Sequence, residues 1–259
     1  MCRMAAYLGP SIRLQQFLLQ PEHSLVVQAY APQELVYARV NADGFGVGWY
    51  NQENQPANYR VTNPIWSDPN LDNLAKVLEA DLWFANVRSA TPGNPVNHSN
   101  TQPFDDGELL FMHNGFIGDF REQVRPRLFE FLDADILASI QGTCDSEYLF
   151  ALLRHFLAEN EDMAIEEAIA ESFAVLDDWL GNSVALLNIM VSDGELLYAA
   201  RHAINHDSPS LYYTTDDEQY ADAQLVASER LTRDGLWQPV PEHEILVLSA
   251  DEPPELLAL

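Results

Sequence analysis

Met1-Cys2-Arg3-Met4-Ala5-Ala6-Tyr7-Leu8 sets a thiol against the start of an apolar run. The run reads as a short β-strand that buries the N-terminus at a sheet edge. Gly9-Pro10-Ser11 then breaks it, and residues 12–19 have helical spacing behind a serine cap. Removal of Met1, which a side chain as small as cysteine permits, makes Cys2 the first residue of the mature chain. Such a cysteine brings its own base. The thiol attacks a carbonyl, and the free α-amine, with an ordinary pKa of about 7.7–8.0, takes up and returns the proton. Position alone leaves Cys2 an ordinary second residue, so the rest of the chain decides.

Further along, Asn41-Ala42-Asp43-Gly44-Phe45-Gly46-Val47-Gly48-Trp49-Tyr50 alternates glycines inside a strand-like run. That pattern implies close approach of a neighbouring backbone or sheet, and neither a helix nor Gly-Lys-Ser/Thr follows it as a phosphate loop requires. Residues 58–61, 82–88 and 109–112 read as strands, and 71–78 as an amphipathic helix. The intervening 89–103 is a loop rich in Ser, Thr, Asn and Pro, too long for a simple connection and therefore a functional candidate. Helices follow over 120–132, 134–140, 146–157 and 163–180. In the last of these, Ile165, Ala168, Ile169, Phe173, Leu176 and Leu180 form a core-facing stripe. Short β-type runs then recur at 184–191, 196–200, 211–215, 225–228 and 245–248, with turns such as Ser192-Asp193-Gly194 favouring antiparallel pairing. Strands, helices and strands again, with no linker or repeat, give one α+β domain over 1–259. Its two stacked antiparallel sheets carry helices outside, and 251–259 lies on the surface.

Composition narrows the function. Asp plus Glu number 40 against 13 Lys plus Arg, a formal charge of -27. Such a surface repels nucleic acid and anionic membranes. Cys2 and Cys144 do not make a disulfide framework, and with seven scattered His they show no metal-ligand spacing. No apolar stretch approaches the roughly 18–20 residues of a membrane span, and no signal peptide is visible. The expectation is a cytoplasmic protein without metal or cofactor.

Four separated pieces share one chemical logic. Arg88, at the end of a strand, is a fork that fits a carboxylate, though an isolated arginine there is usually a surface ion pair. Asn114-Gly115, after a buried strand, offers a side-chain amide and an unshielded backbone N–H for an oxyanion; its alternative is an ordinary Asn-Gly turn. Asp145, in Thr143-Cys144-Asp145-Ser146-Glu147, either anchors an ammonium group or caps a helix. Together with Cys2 they describe a site for an α-amino acid. Arg88 takes the α-carboxylate, Asp145 takes the α-ammonium, and Asn114 with Gly115 holds the oxygen of a side-chain carbonyl under attack by sulfur.

Cys2-Arg3, Asp43-Gly44-x-Gly46, Arg88-x-x-Thr91, His113-Asn114-Gly115 and Cys144-Asp145-Ser146-Glu147, in this order, resemble the class II glutamine amidotransferases of the N-terminal-nucleophile hydrolases. The resemblance covers nearly the whole chain. It implies a four-layer αββα sandwich and a γ-glutamyl thioester on Cys2. It further implies catalytic roles for Cys2, Asn114 and Gly115, and substrate binding by Arg88, Thr91, His113 and Asp145. Ser89 and Pro92 stand where many members carry Trp and His, which changes the lid over the substrate's side chain. Met1-Cys2-Arg3-x3-Tyr7-Leu8-Gly9, the 41–50 run and Asn86-Val87-Arg88-Ser89-Ala90-Thr91-Pro92-Gly93 carry a finer resemblance, to the ergothioneine-pathway branch of the family. It implies hydrolysis of γ-glutamyl-hercynylcysteine sulfoxide to glutamate and hercynylcysteine sulfoxide. Trp49, Tyr50 or Trp66 are candidate aromatic faces for the quaternary ammonium of that leaving group. The rival readings are a glutaminase subunit that passes ammonia to a separate synthase, and a non-catalytic γ-glutamyl-binding module. Beyond a small-molecule γ-glutamyl substrate, partners stay open between a homo-oligomer and a synthase.

Overall fold

Side-chain alternation along the strands sorts this chain into layers. The structure is a computed structural model that describes residues 2–34, 40–91, 93–233 and 235–259; Pro92, noted above, lies outside them. In chain order it contains β1 (Arg3–Arg13), α1 (Leu14–Leu18), α2 (Leu25–Tyr30), β2 (Phe45–Tyr50), β3 (Pro56–Val61), α3 (Leu71–Val77) and β4 (Glu79–Val87). Next come β5 (Phe104–Asp105), β6 (Leu110–Ile117), α4 (Arg125–Phe131), α5 (Ala134–Ser139), α6 (Asp145–Glu159) and α7 (Ile165–Leu180). The final part supplies β7 (Ala185–Ser192), β8 (Leu196–Arg201), β9 (Ala203–Ile204), β10 (Tyr212–Thr214) and β11 (Gln224–Ala227). It ends with β12 (Gln238–Pro239), β13 (Glu244–Ser249) and β14 (Glu255–Ala258).

Among the described residues these strands make two sheets, ordered β12-β10-β11-β1-β4-β2-β3 and β14-β13-β8-β7-β6-β5, with β9 beside β7. The pairings are antiparallel, as the hairpin turns imply. Odd positions of β1 and β4 (Ala5, Tyr7, Trp83, Ala85) pack outward on Leu14, Phe17, Leu25 and Leu71 of α1–α3. On the other sheet, Phe111, Leu187, Ile189 and Val191 pack outward on Leu149, Ile169, Phe173 and Leu176 of α6 and α7. The even positions meet between the sheets: Met4, Ala6, Leu8, Leu82 and Phe84 against Leu110, Met112, Met190, Leu197 and Leu246. Three cores between four layers make the expected αββα sandwich, each large side chain buried there contributing about 1.5–3 kcal/mol.

The glycines of β2 mark the predicted close approach. A Cβ on Gly46 would strike the carbonyl of Gln102, and one on Gly48 would come within 3.2 Å of Leu110 and Pro103 side chains.

Two expectations about elements change. β1 is a central strand, not an edge, because β11 and β4 flank it; it also continues to Arg13, with a register irregularity between Leu8 and Ile12 absorbing Gly9-Pro10-Ser11. His113-Asn114-Gly115 does not follow a strand but lies within β6, where Asn114 and Gly115 oppose Asn188 and Leu187 of β7. The turn alternative for Asn114-Gly115 therefore falls. Residues 251–259 do lie on the surface, and 255–258 add an edge strand to β13 there.

Candidate active site

β1 and β4 run antiparallel with Arg3 opposite Val87, so Cys2 emerges beside Arg88 at one end of the first sheet. A cavity of about 20 Å³ opens there, lined by Cys2, Arg88, Thr91, His113, Gly115 and Asp145 among others. It has room for one water molecule. Six of the seven sequence-derived site residues thus share one cavity. Asn114 is the seventh. It is fully buried behind the lining, where its Nδ2 donates to Ser228 Oγ at 3.2 Å across the two sheets.

Each lining residue is fixed from several directions. The Cys2 thiol donates to the carbonyl of Ser89 over 3.9 Å. Arg88 is held first by its backbone: its N–H donates to Gly44 O at 2.8 Å, and its carbonyl accepts from Asp43 N–H at 3.0 Å. Its guanidinium then donates to Pro95 O at 3.2 Å and Asp43 O at 3.5 Å. A guanidinium has five N–H donors, so the fork keeps donors for a carboxylate. The Asp43 carboxylate accepts from Ala90 N–H at 2.8 Å, which bends the chain after Arg88 over the cavity. Thr91 belongs to that arch, its carbonyl accepting from Asn94 N–H at 2.9 Å.

Asp145 occupies the first turn of α6. One oxygen accepts from Ile117 N–H at 2.8 Å and the other from Ser146 N–H at 3.0 Å, tying the helix to β6. Two bonds leave part of a carboxylate's capacity of about four unused, so the structural tie does not prevent an ammonium contact. His113 sits between the same elements. Its Nε2 donates to Leu186 O at 2.8 Å, since a carbonyl can only accept, and Nδ1 therefore accepts from Ser146 Oγ at 2.9 Å. Burial pushes its pKa down, with Asp145 and the Leu186 carbonyl pulling the other way, so the ring stays neutral. Both ring nitrogens are taken by protein, which makes the imidazole a wall of the cavity. Gly115 must be glycine here: a Cβ would overlap Leu186 O and approach His113 Nε2.

Cys144 lines the cavity too, but burial and then Asp145 push its thiol up to about 12. It stays protonated and is no second nucleophile. Among the described residues no group of three or more His, Cys, Asp or Glu could hold a metal ion.

Sequence reasoning missed three contributors. Asn100 accepts from Thr143 N–H at 2.8 Å and donates to Pro95 O at 3.2 Å, joining the arch to the start of α6. Gln102 brackets His113 through its backbone N–H and carbonyl. Glu229 accepts from Gln33 N–H, Glu34 N–H and His23, and lies 3.4 Å from the fully buried Arg3 guanidinium beside Cys2. Asn100 and Gln102 stand in the polar loop already singled out. For Glu229 no local signal exists, because its partners are about 200 residues away.

Comparison with known proteins agrees with this geometry. The family model for class II glutamine amidotransferases matches residues 29–256. "Probable glutamine amidotransferase DUG3" of Saccharomyces cerevisiae is 29% identical, covering 96% of this chain and 82% of that protein. The gamma-glutamyl-hercynylcysteine sulfoxide hydrolase of Mycobacterium tuberculosis is 30% identical, covering 95% of this chain and 92% of that one. The solved structure of a glutamine aminotransferase class-II domain protein from Silicibacter pomeroyi superposes with a TM-score of 0.71 at 27% identity, covering 99% of both chains. With the thiol, the guanidinium and the aspartate on one cavity of an αββα sandwich, and with a family model spanning most of its length, the chain belongs to the class II glutamine amidotransferases and is an amidohydrolase.

Proposed function

We propose that this amidohydrolase cleaves the γ-glutamyl amide of γ-glutamyl-hercynylcysteine sulfoxide through a γ-glutamyl thioester on Cys2. The reading rests on one observation: Cys2, Arg88 and Asp145, a nucleophile and two groups of opposite charge for an α-amino acid, line the same cavity. A mycobacterial relative named for that substrate, 30% identical, supports this choice of leaving group. In the first half-reaction the α-amine of Cys2, freed by loss of Met1, accepts the thiol proton and sulfur attacks the γ-carbonyl. Gly115 N–H and the Asn114 amide stabilise the oxyanion, and the proton returns to the departing amine. In the second, water attacks the thioester through the same donors and releases glutamate. Arg88 and Asp145 hold the glutamyl end, Thr91 closes over it, and His113 keeps β6 and α6 in register. The cavity is smaller than a glutamyl group, so entry displaces residues 89–91 and 93–97 at its rim, where Arg121 donates to Gly93 O and Asn94 Oδ1.

Of the three candidate aromatics, Trp49 packs on Trp83 and Tyr50 bonds Ser192 O, so both are structural. Trp66 stays exposed beside Tyr30 and is the remaining face for a quaternary ammonium.

Glutamate release from glutamine, from simple γ-glutamyl dipeptides and from γ-glutamyl-hercynylcysteine sulfoxide tests the proposal. The sulfoxide is expected to give the highest kcat/KM, and Cys2→Ala to abolish turnover of all three with the fold intact. Equal or better use of glutamine supports the ammonia-delivering reading instead. Binding without turnover, with Met1 retained in the intact mass, supports the binding module.

A further inference from the structure

Resting on the thioester reading above, we infer that Ser228 is a positioning residue of this site: its hydroxyl decides which end of the Asn114 amide is offered to the oxyanion.

Ser228 follows β11 and is locked to β1 two residues past the nucleophile. Its N–H donates to Met4 O at 2.9 Å, and its Oγ accepts from Met4 N–H at 3.1 Å. Its carbonyl accepts from Ser210 Oγ at 2.8 Å. The residue is fully buried, as are Asn114 and Asn188, which face each other in the β6–β7 ladder.

Hydrogen-bond accounting in this layer does not close as the amide stands. Ser228 Oγ accepts twice, from Met4 N–H and from Asn114 Nδ2, which leaves its own O–H without an acceptor among the described residues. Asn114 Oδ1 has no donor, and neither has Asn188 Oδ1. The orientation of Asn188 is not in question, because its Nδ2 donates to both Pro209 O and Ser210 O at 3.2 Å. A hydroxyl has one donor and two acceptor sites, and an amide can exchange its ends with almost no change of shape.

Exchanging the ends of the Asn114 amide gives the Ser228 hydroxyl an acceptor and Asn114 Oδ1 a donor. The Ser228 hydroxyl, still accepting from Met4, donates to Asn114 Oδ1. The Asn114 NH2 then points away from Ser228, on the strand position that Asn188, whose Oδ1 has no donor, opposes in the ladder. An oxyanion needs an N–H on that side; with the ends as they stand, the lone pairs of Oδ1 occupy it and the NH2 is turned to Ser228. Ser228 thus acts through Asn114 without touching the substrate.

A double-mutant cycle with an orientation measurement tests this. With γ-glutamyl-p-nitroanilide and glutamine as substrates, Ser228→Ala is expected to lower kcat by about 10–100-fold with KM little changed, and Asn114→Ala by about 100–1000-fold. Ser228→Ala added to Asn114→Ala should cost no further kcat, because its effect runs through an amide already removed. A further loss equal to that of the single variant would overturn the inference, as would wild-type kcat in folded Ser228→Ala. A neutron structure of the wild-type protein decides the point even where the variant fails to fold. Asn114 Oδ1 facing Ser228 supports the inference, and deuterons on the Ser228-facing end refute it. Absence of wild-type turnover on both compounds counts against the hydrolase reading alone, since the neutron result still stands.

Discussion

The space between the two sheets has a dry end and a polar end, built by the same strands with the same alternation. At the dry end Leu8 and Leu82 of one sheet meet Leu110, Leu197 and Leu248 of the other, all nearly inaccessible. A few residues along the same strands, the inward positions become Asn86, Asn114 and Asn188, beside Ser228 just past β11; all are equally buried, and each of the three amides carries atoms without partners. Unpaired buried polar groups destabilise a fold, so the polar end is a place where stability is surrendered beside the nucleophile. One region holds the sandwich together and the other serves its chemistry.

That contrast can be broken from either side. The largest effect is expected from making the dry end polar: Leu110→Asn should cost about 4 kcal/mol, combining lost apolar burial with a buried amide. Urea unfolding measures it, and the surviving folded enzyme should keep its kcat. Next is the glutamyl end of the cavity. Arg88→Lys replaces a fork by a point charge and should raise KM about 30-fold, roughly 2 kcal/mol, in steady-state assays. The opposite change at the polar end, Asn86→Leu, removes two unsatisfied atoms at similar volume and should stabilise by about 1 kcal/mol while lowering kcat. A variant that is more stable and equally active would remove the functional half of the contrast.

The smallest expected effect lies outside both ends and serves as a control. His202 stacks on Phe173, and burial, then neighbouring His243, lower its pKa to about 4. The unfolded chain binds this proton first, so the associated stability is intact above about pH 6.5 and lost as pH falls toward 4. His202→Gln should flatten that segment of a stability-versus-pH curve without altering turnover at neutral pH.

How much of this was legible in the chain itself differs between residues. The stripe in α7 named the face that helix buries, because periodicity is a local property. The glycines of β2 announced a close neighbour, later found to be Gln102 and Leu110. The cavity followed from motif chemistry, and six of its residues converge. The central place of β1 was not legible, since it depends on β11, about 220 residues downstream, pairing with Ala5–Leu8. For the same reason Ser228 and Glu229 gave no sign: a serine and a glutamate after an apolar run are unremarkable until Met4, Asn114 and Arg3 lie against them. β6 was cut short because Asn-Gly usually ends a strand, whereas the carbonyl of Leu186 demands glycine inside this one.

The interior position of β1 also orders events in time. The strand that seals its far flank, Gln224–Ala227, leaves the ribosome more than 200 residues after Cys2, a lag of roughly 10–40 s at about 5–20 residues per second. Until then β1 has only β4 beside it; afterwards it is clamped between two neighbours. The flank of the nucleophile's strand, and with it Ser228, is therefore among the last parts of the sheet that synthesis supplies.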